Sequence, residues 1–268
     1  MIIVTNMQSS RPQGRLTRFV RARWPLYLFG YLGAILFFVF FICVSMRQGW
    51  YAFVILSLLI LFFICLVLIA SLRSADKVYD RSTVGRSILA MVPIQPHWTI
   101  VDINVGSLEM AEWMSRHLST GKVISIDIYN PQLAPSRTLT RNRQFEIKPI
   151  DDPRLSIRQG TTGLLPLPDN CVPLVTLIQS LSELWQDGDK NQLLVEIHRI
   201  LEPGGQLLMA ERMANKTNLL TSGPTIARLR TASYWQRKIE QAGFQLHRSG
   251  YNDAPLTLLL LEKQLVVT

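Results

Sequence analysis

The sequence has 268 residues, of which 48% are hydrophobic and 18% are charged, with a formal net charge of +9. This composition excludes an intrinsically disordered chain, and the length allows one or two domains of ordinary size. The three cysteines, Cys43, Cys65 and Cys171, cannot form a complete disulfide framework, and none of them has metal-ligand spacing. The sequence therefore predicts free thiols and no metal site.

The positive charge is concentrated near the N-terminus. Residues 1–86 contain ten Arg or Lys residues and two acidic residues, whereas the remaining 182 residues contain 18 basic and 17 acidic residues. A nucleic-acid-binding surface needs clustered basic residues to neutralise phosphates, and the larger part of this chain is nearly neutral. We therefore expect no nucleic-acid partner.

Two uncharged apolar runs, residues 25–46 and 51–72, lie between the basic clusters. Each run has 22 residues. As a helix, each would be about 33 Å long, which is enough to cross a hydrocarbon core of about 30 Å. A four-residue connection predicts an antiparallel transmembrane hairpin. The alternative is a pair of buried core helices, but a domain of this size could not surround two helices that are apolar on every side.

The basic residues also predict the topology of this hairpin. Five Arg precede the first run and four Arg or Lys follow the second, against one Arg in the turn. By the positive-inside rule, both termini lie in the cytoplasm. The predicted organisation is a basic cytoplasmic segment (1–24), a transmembrane hairpin (25–72), a juxtamembrane connector (73–97) and a cytoplasmic domain (98–268).

The connector contains apolar residues at helical spacing, which predict a single apolar face. Two interpretations remain open for this helix: it packs on the domain, or it lies in the membrane interface. The residues of this face are Val84, Ile88, Leu89, Met91 and Val92.

Strand-like and helix-like segments alternate beyond the connector. Repeated β-α-β units predict a parallel sheet covered by helices on both faces, and two closely spaced final strands predict an antiparallel hairpin at one edge. The expected fold class is α/β: a Rossmann-like, doubly wound, mostly parallel seven-stranded sheet. Predicted strands are 99–105, 122–128, 155–159, 173–181, 206–211, 244–249 and 255–262, and predicted helices are 109–118, 191–201 (ended by a turn at 202–205) and 225–243.

Ligands of such sheets bind beyond the carboxyl ends of the strands, where the strand order reverses. The first strand leads into Asp102-Ile-Asn104-Val-Gly106, in which Asn104 and Gly106 suit a tight turn with positive φ. Asp127 ends the second strand, and a carboxylate there can accept both hydroxyl groups of a ribose. By themselves, these residues also fit a Rossmann-like domain that binds no nucleotide.

Longer motifs carry a resemblance to a known family. LLPLPDN at 164–170 is similar to an "LPFPD" segment, and EIHRILEPGGQLLMAER at 196–212 is similar to "EIxRVLKPGGxLLIxE". AGFQL at 242–246, followed by a terminal β-rich run, agrees with the same pattern. These motifs resemble the class I S-adenosylmethionine (SAM)-dependent methyltransferases, in particular the group that includes the ubiquinone and menaquinone biosynthesis methyltransferases. The resemblance covers roughly residues 80–265.

The resemblance implies SAM as the methyl donor. Asp102 would orient the cofactor loop, Asp127 would bind the ribose and Ile128 would cover one face of the adenine. The implied cofactor-binding set is Asp102, Asn104, Val105, Gly106, Asp127, Ile128, Thr161, Thr162 and Ile178.

The sequence departs from the family pattern at four positions. Asn104 and Leu108 replace two glycines of the usual D-x-G-x-G-x-G loop. Thr161 stands where the family has an acid that contacts the adenine amino group, and Pro173 stands where it has an acid that opens the fourth strand.

The sequence specifies no catalytic residue with comparable clarity. Glu183 occupies the region of the family's "LHH" segment and is a candidate base, with an exposed carboxylate at a helix end as the alternative. His198 fits a structural role better, and the other three histidines (His97, His117 and His247) form no metal pattern.

Together these observations predict a membrane-anchored SAM-dependent methyltransferase whose acceptor is a lipophilic small molecule or a membrane protein. The alternative is a degenerate methyltransferase fold that serves as a scaffold or assembly subunit without catalysis. An NAD-dependent oxidoreductase is disfavoured, because the loop lacks G-x-G-x-x-G.

Overall fold

The computed structural model describes residues 28–78, 81–136, 139–140, 143, 152–221, 229–251 and 256–264. One π-helical turn (Leu28–Leu32) leads into helix α1 (Gly33–Arg47). Helix α1 packs against helix α2 (Tyr51–Val78) as a hairpin. Phe29–Arg47 and Tyr51–Ser71 are long and apolar enough to span a membrane, and 6% of each segment's 18-residue window is buried. That agreement rests on length and composition alone. All three cysteines are free, as predicted.

Helix α3 (Arg81–Met91) packs on the domain, which is the first of the two alternatives for the connector. Val84, Ile88 and Val92 are buried in an apolar cluster with residues of the central sheet. The guanidinium of Arg248 donates to the carbonyl of Ala90 at 3.3 Å and adds a polar contact. The packed unit of the domain therefore includes α3.

The domain is built on one seven-stranded sheet. Five strands are parallel and the last two form an antiparallel hairpin at one edge, which confirms the predicted α/β class. The strands are β1 (Thr99–Asn104), β2 (Lys122–Asp127), β3 (Leu155–Gln159), β4 (Val172–Ile178), β5 (Leu201–Glu211), β6 (Phe244–Tyr251) and β7 (Thr257–Lys263). Along the sheet the order is β3-β2-β1-β4-β5-β7-β6.

Helices cover both faces of this sheet, as the alternating pattern predicts. Apolar side chains of α3 and of α4 (Glu109–Ser115) pack on one face, and those of α5 (Asp187–Ile200) and α7 (Ala232–Gln241) pack on the other. The remaining helices are a short 3-10 helix (Leu181–Glu183) and α6 (Lys216–Thr221).

The region around residues 202–205 differs from the prediction. The sequence predicts a turn there, whereas these residues belong to β5. The register shows the reason: Val172 pairs with Leu201, but Leu174 pairs with Gln206, so extra residues bulge out of the strand. Gly204 accommodates the bulge with φ +75°.

Several helix boundaries also differ. Helix α5 begins at Asp187, before the predicted start at 191, and α4 ends at Ser115, before the predicted end at 118. The predicted helix 225–243 is seen as Ala232–Gln241, and residues 222–228 lie outside the described residues.

Candidate functional site

The strand order reverses between β1 and β4, which are hydrogen-bonded neighbours at the centre of the sheet. From β1 the chain proceeds to β2 and β3 on one side, and from β4 to β5 on the other. The carboxyl ends of these parallel strands lie along one edge. This edge is where an open α/β sheet binds its ligand.

The side chain of Asn104 organises the loop after β1. Its Nδ2 donates to Asp102 Oδ2 at 3.1 Å and to Ser125 Oγ at 2.7 Å, and its Oδ1 accepts from the Gly106 amide at 2.9 Å. Gly106 has φ +105°, as predicted. The prediction of positive φ at Asn104 is wrong: among the described non-glycine residues, positive φ occurs at Asn170 and Gln179. Asn104 remains in β1 because it pairs with Asp127 of β2.

Asp102 is a buried carboxyl group behind this loop. It accepts hydrogen bonds from Thr176 Oγ1 at 2.9 Å and from Asn104. Burial raises the pKa of Asp102 to about 6, and the two hydrogen bonds partly oppose that rise. The group ties β1 to β4 and supports the loop from beneath.

Asp127, at the end of β2, is engaged by Arg143, a residue that the sequence patterns did not single out. Arg143 Nη1 donates to Oδ1 at 2.9 Å and Nη2 donates to Oδ2 at 2.7 Å, while the Tyr129 amide donates to Oδ1 at 2.9 Å. The guanidinium also lies on the loop, because a Cβ built on Gly106 would be 1.8 Å from Nη1.

The other residues of the implied cofactor set border the same edge. Ile128 is buried in the apolar core, as is Val105, and the Ile128 amide donates to Asn104 O at 2.9 Å. Thr161 is exposed, and its Oγ1 accepts from the Leu164 amide at 3.0 Å within its own turn. Thr162 is buried, and Ile178, at the end of β4, is half-buried.

A second buried carboxyl group lies at the end of β5. Glu211 Oε1 accepts from the amides of Leu181 at 3.0 Å and Ser182 at 3.4 Å, and so holds the loop that follows β4. Burial raises the pKa of Glu211 to about 7, and these hydrogen bonds partly oppose the rise. The candidate base Glu183 ends the short 3-10 helix that this contact supports.

Gln179 adds backbone strain to the loop after β4. Its φ is +54°, and its amide donates to Ala210 O at 2.8 Å. A non-glycine residue in this conformation persists only where its surroundings hold it, and such residues cluster at functional sites. The sequence patterns did not single out Gln179 or Glu211 as a site residue, although Glu211 is the final acid of the motif at 196–212.

The two sequence motifs that carry the family resemblance contact each other. Arg199 donates to Leu165 O at 3.1 Å and to Leu167 O at 3.0 Å, and Glu196 Oε2 accepts from the Leu165 amide at 3.0 Å. Helix α5 thereby holds the 164–170 segment, which leads from the carboxyl end of β3 toward the start of β4. The motifs form one structural unit rather than two separate sites.

The histidine that the sequence assigns to a structural role packs away from the loop. His198 lies edge-on against Phe244, with ring centroids 5.3 Å apart. Burial lowers the pKa of His198, with Lys263 as a lesser cause. Among the described residues, no group of three or more His, Cys, Asp or Glu side chains could hold a metal ion.

Residues 101–209 match the family described as "Methyltransferase domain". Over these residues the chain is similar to that methyltransferase family. A demethylmenaquinone methyltransferase of Lactiplantibacillus plantarum is 28% identical over 127 residues, which cover 47% of this chain and 50% of that protein. The ubiquinone/menaquinone biosynthesis C-methyltransferase UbiE of Escherichia coli is 32% identical over 114 residues, which cover 42% of each chain. This chain thus spans half or less of the length of these relatives.

Solved structures agree with the fold of the methyltransferase domain. A SAM-dependent methyltransferase from Aquifex aeolicus superposes with a TM-score of 0.54 at 15% identity, over 69% of this chain and 90% of that chain. Human N-acetylserotonin methyltransferase in complex with SAM superposes with a TM-score of 0.54 at 19% identity, over 73% of this chain and 56% of that chain.

The methyltransferase domain supports SAM as the methyl donor, and the geometry at the carboxyl edge can be tested against this ligand. The turn at Gly106 and the carboxylate of Asp127 lie close enough for one guanidinium to touch both. A nucleoside ribose needs the same proximity of a close-approach backbone and an acid. In this structure the Arg143 guanidinium lies between the Gly106 turn and the Asp127 carboxylate.

Proposed function

We propose that this protein is a membrane-anchored SAM-dependent methyltransferase that acts on a lipophilic acceptor of the quinone class. The observation that carries the proposal is the juxtaposition of the Gly106 turn and the Asp127 carboxylate at the switch point of a methyltransferase domain. Asp127 would accept the ribose hydroxyls, and Ile128 would cover the adenine. When bound, SAM supplies a methyl group on an electrophilic sulfonium.

The rest of the loop has a supporting role in this proposal. Asn104 keeps the Gly106 amide oriented, and Asp102 keeps Asn104 in place through their shared hydrogen bond. Val105, Thr161, Thr162 and Ile178 would border the ligand along the same edge. Positioning of this kind accounts for much of the rate of a displacement reaction.

The acceptor class is suggested by the relatives and by the hairpin. The two relatives above are named for quinone methylation, and such acceptors partition into a bilayer. Helix α2 packs against α6, which follows β5 beyond its carboxyl end. A membrane-spanning α2 would therefore bring the carboxyl edge of the sheet close to the bilayer, where the local concentration of a lipophilic acceptor is high. The positive-inside bias favours a cytoplasmic domain.

Transfer of the methyl group from SAM to a ring carbon would release the proton of that carbon, and a nearby base would accept it. Glu183 is the candidate acceptor of that proton, because it lies in the loop after β4 that Glu211 holds at the carboxyl edge.

Binding of the donor tests the enzyme proposal directly. The full chain in nanodiscs is titrated calorimetrically with SAM and with its demethylated product, alongside Asp127→Ala and the exposed-acid control Glu240→Ala. Binding that Asp127→Ala abolishes and Glu240→Ala preserves supports the proposal. A folded chain that binds neither ligand at millimolar concentration, with or without Arg143, contradicts it.

That negative result would favour the scaffold alternative. Two observations support the scaffold alternative. Arg143 engages the Asp127 carboxylate, and four family positions are replaced, by Asn104, Leu108, Thr161 and Pro173.

The acceptor proposal has its own test. Methyl transfer is compared between a long-chain demethylated quinol within the nanodisc and a short-chain, water-soluble analogue at equal total concentration. Faster transfer to the bilayer-borne quinol is expected. Equal rates would refute the role assigned to the hairpin and leave donor binding unaffected.

A further inference from the structure

Arg143 and Asp127 form a bidentate pair that is largely removed from solvent. Their side chains are 25% and 8% exposed. Each carboxylate oxygen accepts one guanidinium N–H, and Oδ1 also accepts the Tyr129 amide. Such parallel charge-assisted bonds are about twice as strong as bonds between neutral groups. The carboxylate is therefore fully engaged within the chain.

The same guanidinium covers the loop after β1. Its Nη1 lies where any side chain at Gly106 would begin, and its Cζ lies 4.2 Å from the ring centroid of Tyr129. Arg143 thus touches both the loop after β1 and Asp127, the acid that ends β2. No second ligand can use both features while the guanidinium remains between them.

Neighbouring contacts hold Arg143 in this position. Leu139, one helical turn earlier in the sequence, packs against the apolar core. The Thr140 hydroxyl hydrogen-bonds the Tyr129 hydroxyl at 3.0 Å, and the Thr140 amide donates to Ser136 O at 3.0 Å. Because several elements share in these contacts, the ion pair is a built feature of the fold rather than a chance surface pair.

We propose that Arg143 is an internal competitor of the cofactor, which occupies the ribose position and sets the affinity of the domain for adenosine ligands. The proposal rests on the function proposed above, which assigns the ribose hydroxyls to Asp127. Two ribose O–H groups and two guanidinium N–H groups require the same two carboxylate oxygens. The nucleoside therefore binds only when Arg143 withdraws from Asp127. Its apparent affinity equals the affinity of the open site multiplied by the fraction of time that the ion pair is open.

This competition predicts that removal of a positive side chain tightens binding. Arg143→Ala frees both oxygens of Asp127 and the space over Gly106, so that Kd for S-adenosylhomocysteine should fall at least tenfold. Arg143→Lys keeps the charge but loses the planar fork, and should tighten binding by a smaller factor, about threefold. A merely structural arginine would have the opposite effect, since its removal would loosen the site.

The experiment is calorimetric titration of the full chain in nanodiscs with S-adenosylhomocysteine and with SAM. Wild type, Arg143→Ala, Arg143→Lys and the control Arg158→Ala are compared. Arg158 is an exposed arginine of β3 whose Nη1 donates to Pro166 O at 3.0 Å, and in the sheet register it pairs with Ile126 rather than with Asp127. Adenosine and 2′-deoxyadenosine provide a further comparison, because the gain should be larger for the ligand with both hydroxyls.

Tighter binding by Arg143→Ala, with Arg158→Ala equal to wild type, supports the competition. Detectable binding by the variant alone supports it as well. Wild-type binding that Arg143→Ala leaves equal or weakens, in a variant with an unchanged unfolding temperature, overturns it while the proposed function stands. If Arg143→Ala does not fold, the Lys variant decides by the same criterion. Absence of binding in wild type and in every folded Arg143 variant overturns the proposed function and the competition together.

Discussion

Asn104 holds the Gly106 amide through a 2.9 Å hydrogen bond from that amide to its side-chain oxygen. The family pattern has a glycine at the position of Asn104. In this chain the Asn104 side chain shapes the loop, whereas a glycine would shape it through the flexibility of its backbone. The side-chain nitrogen of Asn104 also donates to Asp102 and Ser125.

Asn104→Ala should therefore destabilise the domain. The change removes three hydrogen bonds and leaves the buried Asp102 and Ser125 with one partner fewer, at a cost of about 2–3 kcal/mol. The measurement is thermal unfolding of the full chain in detergent micelles. Ser125→Ala, which removes one of the three bonds, is the control and should cost about 1 kcal/mol. Equal unfolding temperatures for Asn104→Ala and wild type would contradict this role.

Glu211→Gln should change the pH dependence of stability. The folded-state pKa of Glu211 is about 7 against an ordinary 4.5, so the folded state binds the proton more tightly. The stabilisation is complete below about pH 4.5 and is lost as the pH rises to about 7, with a total change of about 3 kcal/mol. Glutamine keeps an acceptor for the Leu181 and Ser182 amides without the charge.

We therefore expect Glu211→Gln to be more stable than wild type at pH 8, with the difference shrinking toward pH 5. The measurement is the unfolding free energy across this range, and the exposed Glu240→Gln serves as control. The buried Asp102 contributes its own slope to both proteins and cancels in their difference. A difference independent of pH would contradict the assignment.

Arg199→Ala should release the 164–170 segment from helix α5. The guanidinium contacts two carbonyls of that segment as well as Glu196, and its loss should cost about 1–3 kcal/mol. Hydrogen exchange in residues 164–170 should accelerate at least tenfold, which corresponds to about 1.4 kcal/mol of local opening. Arg158→Ala, which loses one bond to Pro166 O, should accelerate exchange less. Unchanged exchange in Arg199→Ala would show that the segment is held by other contacts.

Gly85→Ala tests whether α3 belongs to the packed domain. A Cβ at Gly85 would lie 2.3 Å from two ring carbons of Trp113, so the α3–α4 contact must open. Overpacking of this kind costs about 1–3 kcal/mol. Gly188→Ala in α5 is the matched control: nothing lies within 4 Å of its Cβ, and helix propensity predicts a gain of up to about 1 kcal/mol. Equal effects of the two changes on the unfolding temperature would argue against tight α3 packing.

Much of the architecture could be predicted from local patterns. The spacing of apolar residues within a segment indicates whether that segment is a strand or a helix and which side of it is buried. This spacing predicted the seven strands and the antiparallel edge. The carboxyl ends of β1 and β2 were likewise identifiable, because a glycine after one strand and an acid after the next require no knowledge of packing. The 202–205 region was harder, since a bulge depends on the register of the neighbouring strand as well as on its glycines.

The sequence by itself determined the two apolar segments, the order of strands and helices and the candidate loop. These depend on composition and period, which act over a few neighbouring residues. Only the tertiary structure decided that Arg143 lies on Asp127 and Gly106, and that Glu211 supports the loop after β4. The first contact spans 16 residues and the second spans 30, and each depends on how the intervening chain folds back rather than on any local preference. Because Asp127 and Glu211 are buried, their carboxylates cannot be hydrated by bulk water and must find hydrogen-bond partners within the chain.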